Sequence, residues 1–211
     1  YRLNHEAPAY LAYQMKQKGG RLVHFSTDFV FDGEAKEGGF SEEASAHGKS
    51  VYGQSKLAGE AAIKEIGGNY LIFRISWLYG RGGSHFVQKI LTKLKGEGPL
   101  PVVADHWGAL TLTDEVVEAT FKLEKEIGLF HFSGRGVSSW CDVAKFIAAH
   151  SHTGKSERIV PIEYASLNIA TPRPAFSYLN CEKYERVTGE KIRPWKEGLT
   201  TYLESYAETT V

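Results

Sequence analysis

Tyr70-Leu71-Ile72-Phe73-Arg74-Ile75-Ser76 is a near-continuous apolar run. That pattern predicts a β-strand covered on both faces, as in the interior of a parallel sheet. Just before it, Gly67-Gly68 closes a helical stretch whose apolar face is read as Leu57, Ala58, Ala61, Ala62, Ile63 and Ile66. Further upstream, Arg21-Leu22-Val23-His24-Phe25-Ser26 is a second short apolar run. Strand, helix and strand in that order require a parallel crossover, so the chain is read as α/β.

Working outward, Leu3, Ala7, Leu11, Ala12 and Met15 follow a helical period that Gly19-Gly20 ends. Pro8 places the helix start between Asn4 and Ala7, or kinks it there. Downstream, Phe86, Val87, Ile90, Leu91 and Leu94 predict a helix, and Leu100-Pro101-Val102-Val103 a short strand. Thr113-Asp114-Glu115 reads as an N-cap before a helix bearing Val116, Val117, Phe121, Leu123 and Ile127. Leu129 to Ser133 and Ile159 to Glu163 read as strands, and Ser139-Trp140-Cys141-Asp142 as a capping box. Leu199, Tyr202, Leu203 and Tyr206 mark a final amphipathic helix. The shorter strands of the second half suggest a smaller lobe closing over the first.

Composition narrows the function classes. Lysine plus arginine equals aspartate plus glutamate at 25 each, which leaves no basic surplus for a phosphate backbone and argues against nucleic acid. Cys141 and Cys181 form no Cys-x-x-Cys pair, so neither a disulfide framework nor a structural zinc site is expected, and a reducing, cytoplasmic setting fits. Of the eight histidines only His150 and His152 have ligand-like spacing, and that pair reads as solvated surface, so no metal is expected. No apolar run approaches the roughly 18 residues of a membrane span.

Chemistry concentrates around Tyr52 and Lys56, four residues apart at the start of the central helix and therefore on one face. An ammonium beside a phenol is expected to lower the phenol's pKa and suit it to proton transfer. The spacing alone is close to chance level in a chain this rich in tyrosine and lysine. Thr27 and Asp28 follow the C-terminal end of a strand, where open parallel sheets place ligand contacts, although capping the next turn would explain them as well. Trp77 stands at the mouth of the next strand, suited to stack on a flat ligand or to fill core. The glycines of Gly80-Arg81-Gly82-Gly83 match neither Gly-x-Gly-x-x-Gly nor the P-loop and read as a plain strand-to-helix loop.

Three motifs in register say more than any of these singly. Phe25 to Gly33, Val51-Tyr52-Gly53-Gln54-Ser55-Lys56-Leu57-Ala58-Gly59-Glu60 and Arg74 to Gly80 resemble the extended short-chain dehydrogenase/reductase family. Within it the likeness is to the branch that reduces the 4-keto group of dTDP-4-dehydro-L-rhamnose. It extends through Ala104-Asp105-His106-Trp107-Gly108 and Pro172-Arg173-Pro174 to the last helix. The resemblance implies a partial Rossmann-type parallel sheet with a smaller C-terminal α/β substrate-binding lobe. It implies NADPH or NADH as cofactor, a nucleotide sugar as substrate, and catalysis by Tyr52, Lys56 and Thr27. Phe25, Tyr52 and Lys56 would face the cofactor; Thr27, Asp28, Trp77 and Arg173 the substrate, with Arg173 on the diphosphate.

The same resemblance implies a departure. The family's glycine-rich pyrophosphate loop has no counterpart in these residues, so the chain reads as a piece of a longer protein that would bind NADPH poorly alone. Residues 1–108 are expected to be the C-terminal part of a Rossmann-like NAD(P)-binding domain. Residues 109–211 are expected to be the substrate lobe, with chain exchange between the two. An open sheet edge would need cover from the missing piece, a homodimer or otherwise. The rival expectations are an epimerase or dehydratase of the same family, and a non-catalytic partner-binding protein similar to the regulatory subunit of methionine adenosyltransferase.

Overall fold

The computed structural model describes residues 1–34, 37–151 and 154–209. In chain order it holds α1 (Ala7–Gln17), β1 (Arg21–Thr27), α2 (Val51–Ile66), β2 (Asn69–Ile75), β3 (Leu78–Tyr79), α3 (Phe86–Leu94), β4 (Leu100–Val103), β5 (Trp107–Gly108) and β6 (Thr111–Leu112). These are followed by α4 (Thr113–Lys122), β7 (Gly128–Phe132), β8 (Ser138–Ser139), α5 (Trp140–His150), β9 (Ile159–Ile162), α6 (Glu182–Thr188) and α7 (Trp195–Thr209).

The strand that decided the reading lies at the centre. β2 pairs in parallel with β1, from Arg21 opposite Asn69 to Thr27 opposite Ile75, and with β7, from Leu71 opposite Gly128 to Ile75 opposite Phe132. Being covered above and below explains its unbroken apolar run: Leu71, Ile72 and Phe73 are fully buried. Ile72 packs with Ala12 and Ile63 from α1 and α2 on one face, and Leu71 and Phe73 pack with Val116 and Ala119 of α4 and with Leu123 just beyond it on the other. Because β1 and β2 are in register, Thr27 and Ile75 end at one edge, and the loops carrying Asp28 and Trp77 leave from it.

A second apolar cluster joins α3, β4, β9, α5 and α7, with β4 and β9 parallel from Leu100 opposite Ile159 to Val103 opposite Ile162. The capping box opens α5 as read: the Asp142 amide donates to Ser139 Oγ at 3.0 Å, and the Ser139 amide donates back to Asp142 Oδ2 at 3.0 Å. Residues 86–103 thus pack with elements beyond residue 139, while α4 and β7 complete the first sheet.

Helix faces depart from the reading in three places. On α2 the buried positions are Gly53, Ser55, Gly59, Glu60 and Ile63, whereas Ala61 is exposed. Small residues are needed on that face because backbone presses against it: a Cβ on Gly53 would run into the Phe29 carbonyl, and one on Gly59 into the Asn4 carbonyl. On α1 the buried stripe is Pro8 and Ala12 and Leu11 faces outward, as does Leu3 in the π-helical turn Arg2–Glu6 before it. α4 ends at Lys122, short of the predicted Leu123 and Ile127: on it Val116 and Ala119 are buried while Val117 and Phe121 are exposed, and beyond it Leu123 is buried and Ile127 exposed. Val117 and Phe121 sit one residue, about 100°, round the helix from the true core stripe. Thr113 also does not cap α4. The N-cap is Leu112, and the Thr113 hydroxyl turns to Asp114 at 3.3 Å. His150 stacks on Phe146, and His152 lies outside the described residues.

Candidate active site

The C-terminal ends of β1 and β2 open onto a cleft of about 420 Å³ lined by Phe25, Thr27, Asp28, Tyr52, Trp77 and Arg173 together. Residues scattered over 149 positions of the chain (25 to 173) therefore meet in one place. Lys56 sits one helical turn behind Tyr52. Its Nζ donates to the Phe25 carbonyl at 2.5 Å and lies 3.5 Å from His24 Nε2. Thr27 caps the following turn and also lines the cleft: its Oγ1 accepts from the Phe29 amide at 3.2 Å and donates to Asp28 Oδ1 at 3.1 Å.

Tyr52 is half exposed, and its ring packs edge-on against Phe29 with centroids 5.8 Å apart. Its phenol pKa is raised, first by burial, with the Thr27 hydroxyl opposing and the Asp28 carboxyl adding to the rise. The expected lowering by Lys56 is not what this structure shows. The ammonium is engaged by the Phe25 carbonyl, so desolvation of the phenol wins. A raised pKa keeps the phenol protonated at neutral pH, which a proton donor requires.

Asp28 is buried, and its Oδ2 has no hydrogen-bond partner. Burial pushes its pKa up to about 6, against the opposing pull of the Ser177 and Thr27 hydroxyls. A carboxyl whose folded pKa lies above its unfolded value stabilises the fold at low pH, and that contribution is lost as pH rises through about 6. Two units correspond to about 3 kcal/mol. Denaturant unfolding of Asp28→Asn and the parent at pH 4.5 and pH 8 is therefore expected to show the variant gaining on the parent at the higher pH. A constant difference would contradict it.

Trp77 holds a left-handed backbone, φ 42°, a conformation that strains a bulky residue. Its indole stacks on Trp140 at 3.6 Å with 11° between planes, and it lies over Gly108, where a Cβ would come within 2.7 Å of the ring. Trp140 and His106 were not picked out in the sequence as site residues. Trp140 was legible only as part of a capping box, and His106 only as part of a motif. Both line the cleft and a second cavity of about 440 Å³ beside it, and Arg173 stands between the two. His106 is buried, its Nδ1 is 3.2 Å from Asp105 Oδ1, and its Nε2 has no partner. The second cavity combines apolar walls from Leu100, Val102 and Ile162 with the side chains of Lys89 and Lys93.

Comparison with known proteins gives the family. A family model described as RmlD substrate binding domain matches residues 1–208. A dTDP-4-dehydrorhamnose reductase of Sinorhizobium fredii is 35% identical over 208 residues, which span 93% of this chain and 70% of that protein. The crystal structure of a dTDP-4-dehydrorhamnose reductase from Clostridium acetobutylicum superposes with a TM-score of 0.91 at 35% identity, covering 97% of this chain and 72% of that one. A Bacillus anthracis dTDP-4-dehydrorhamnose reductase in complex with NADP gives 0.87 at 30% identity, covering 96% and 72%.

Proposed function

The chain belongs to the RmlD substrate binding domain family, and on that footing we propose that it is the reductase that converts dTDP-4-dehydro-L-rhamnose to dTDP-L-rhamnose with NADPH. The observation that carries this reading is the meeting of Thr27 and Tyr52 in one cleft with Lys56 a turn behind. The donor set suits the nicotinamide end of the cofactor. Lys56 has three N–H donors, one of them spent on the Phe25 carbonyl, and the Phe25 ring is exposed beside it. Lys56 and Tyr52 would hold the nicotinamide ribose, and NADPH when bound supplies the hydride.

The chain's own residues supply the rest. Tyr52 gives its phenolic proton to the sugar's 4-oxygen, and Thr27 donates a hydrogen bond to the same oxygen so that negative charge on it never develops fully. Asp28, with its unpaired Oδ2, faces the sugar hydroxyls, and Trp77 covers the ring. Arg173, with Lys89 and Lys93, takes the diphosphate, and the apolar walls of the second cavity take the nucleoside. We assign the β1–β2–β7 sheet to the cofactor side and the α3, β4, β9 and α5 cluster to the substrate side. Two free thiols, Cys141 and Cys181, support a cytoplasmic setting, and exposed Tyr10, Leu11 and Tyr13 on α1 support a homodimer.

The chain spans about 70% of the length of the reductases it matches, so the test uses a version extended to their full length: with dTDP-4-dehydro-L-rhamnose and NADPH it is expected to oxidise NADPH with formation of dTDP-L-rhamnose. Absence of turnover together with stable capture of a second enzyme would replace this reading with a regulatory one. Gly108→Ala tests the aromatic wall. Displacing the indole from its stack forfeits about 1 kcal/mol, so KM is expected to rise roughly fivefold with kcat little changed.

A further inference from the structure

Glu60 is fully buried in the middle of α2, and nothing in the proton transfer above uses it. Its Oε1 accepts from Ser26 Oγ at 2.5 Å and from Arg74 Nε at 2.9 Å, and its Oε2 accepts from Arg74 Nη2 at 2.7 Å. Arg74 is also buried, lies over the Phe31 ring at 5.2 Å, and donates from Nη1 to His131 Nε2 at 3.3 Å. His131 in turn donates from Nδ1 to the Phe40 carbonyl at 3.0 Å.

The places of these partners in the chain are what matter. Ser26 immediately precedes Thr27, Arg74 stands three residues before Trp77, and Glu60 is one helical turn beyond Lys56 and two beyond Tyr52. One carboxylate therefore ties together the three segments that present Thr27, Trp77 and the Tyr52–Lys56 pair. We propose that Glu60 is a positioning residue, whose carboxylate fixes α2 against the ends of β1 and β2 and so sets the spacing between the Tyr52 hydroxyl and Thr27.

Stability alone is a weak reason for such a group. The desolvation of two buried ions largely cancels their attraction, so a well-packed apolar pair would serve the fold about as well. A carboxylate differs from an apolar contact in being directional. It accepts from two strands at defined angles, and a displacement of about 1 Å at a reacting group can cost 10²-fold in rate. This inference rests on the reductase reading for its catalytic consequence, but the geometry it asserts can be read without turnover.

Three variants separate positioning from mere support. Ser26→Ala removes one tie and leaves the ion pair intact; Glu60→Gln keeps the shape and removes the charge; Ile63→Val trims a buried side chain on the same helix with no part in the network. In the version extended to the length of the matching reductases, with dTDP-4-dehydro-L-rhamnose and NADPH, kcat is expected to fall about tenfold in Ser26→Ala and at least thirtyfold in Glu60→Gln. KM should stay within threefold, and Ile63→Val should stay within twofold of the parent. The double variant should be no worse than Glu60→Gln, because both act through one contact. In parallel, ring-labelled tyrosine NMR, with the Tyr52 signal identified by its loss in Tyr52→Phe, should show that signal moving in Ser26→Ala and Glu60→Gln but not in Ile63→Val. Where Glu60→Gln does not fold, Ser26→Ala decides alone. A Tyr52 signal unmoved in Ser26→Ala, or a kcat loss no greater than that of Ile63→Val, overturns the proposal. Failure of the extended parent to turn over, with the signals moving as expected, overturns the reductase reading and leaves the positioning role standing.

Discussion

Tyr52→Phe is expected to lower kcat by about 10² to 10⁴-fold while leaving the fold and KM nearly unchanged. The ring is half exposed and meets Phe29 edge-on, contacts that phenylalanine retains, so the stability change should stay within about 0.5 kcal/mol. What disappears is the phenolic O–H at the cleft beside Thr27. Without it the reduced oxygen must take its proton from water. Thr27 cannot substitute, because an aliphatic hydroxyl can donate a hydrogen bond to the oxygen but is too weak an acid to give up its proton. Burial holds the Tyr52 pKa above its ordinary value, so the parent should lose activity on the alkaline side only when the phenol ionises, and Tyr52→Phe should lack that limb. Stopped-flow measurement of NADPH oxidation across pH checks both parts. A loss of less than tenfold would move the donor role elsewhere.

How much of this was legible in the sequence depended on which physical signal each element carries. β2 announced itself because a central strand must be apolar on both faces, and the α5 cap because a serine and an aspartate three residues apart can satisfy each other's backbone. The cleft residues Thr27, Asp28 and Trp77 were found because parallel strands deliver their following residues to one edge. Hydrophobic periodicity found Ile63, with Leu57 and Ile66 packed at the margins, but missed the rest of the buried face of α2 for a definite reason. Its inward face is Gly53, Ser55, Gly59 and Glu60, where close backbone approach and an ion pair stand in for aliphatic packing. A glutamate in a helix reads as solvent-facing, and only the arginine fourteen residues later, itself hidden in an apolar strand, makes its burial intelligible. His106 and Trp140 were missed as site residues because contact with two adjoining cavities is a property of tertiary packing that leaves no local pattern.

Arg74→Met is expected to destabilise the protein by about 3–5 kcal/mol, a large share of the 5–15 kcal/mol that holds most domains folded. The methionine fills much of the volume, so the loss is electrostatic rather than a cavity. The buried Glu60 keeps only the Ser26 hydroxyl and the half-exposed Lys64, whose Nζ lies 3.9 Å from Oε2, and His131 Nε2 loses the donor that faces it. Replacing both partners, as Glu60→Leu with Arg74→Met, removes the uncompensated charge. Two neutral groups then lack partners, Ser26 and His131, at about 1 kcal/mol or more each, so the double variant should recover part of the loss and sit about 1–3 kcal/mol below the parent. Denaturant unfolding of the three proteins measures this directly, and a double variant less stable than Arg74→Met would contradict it. Activity should not follow the recovery. The apolar pair restores burial but not the directional ties from Glu60 to the segments of Thr27 and Trp77, so kcat in the double variant should stay at least thirtyfold down. Stability regained without rate would separate what holds the fold together from what holds the reacting groups in place.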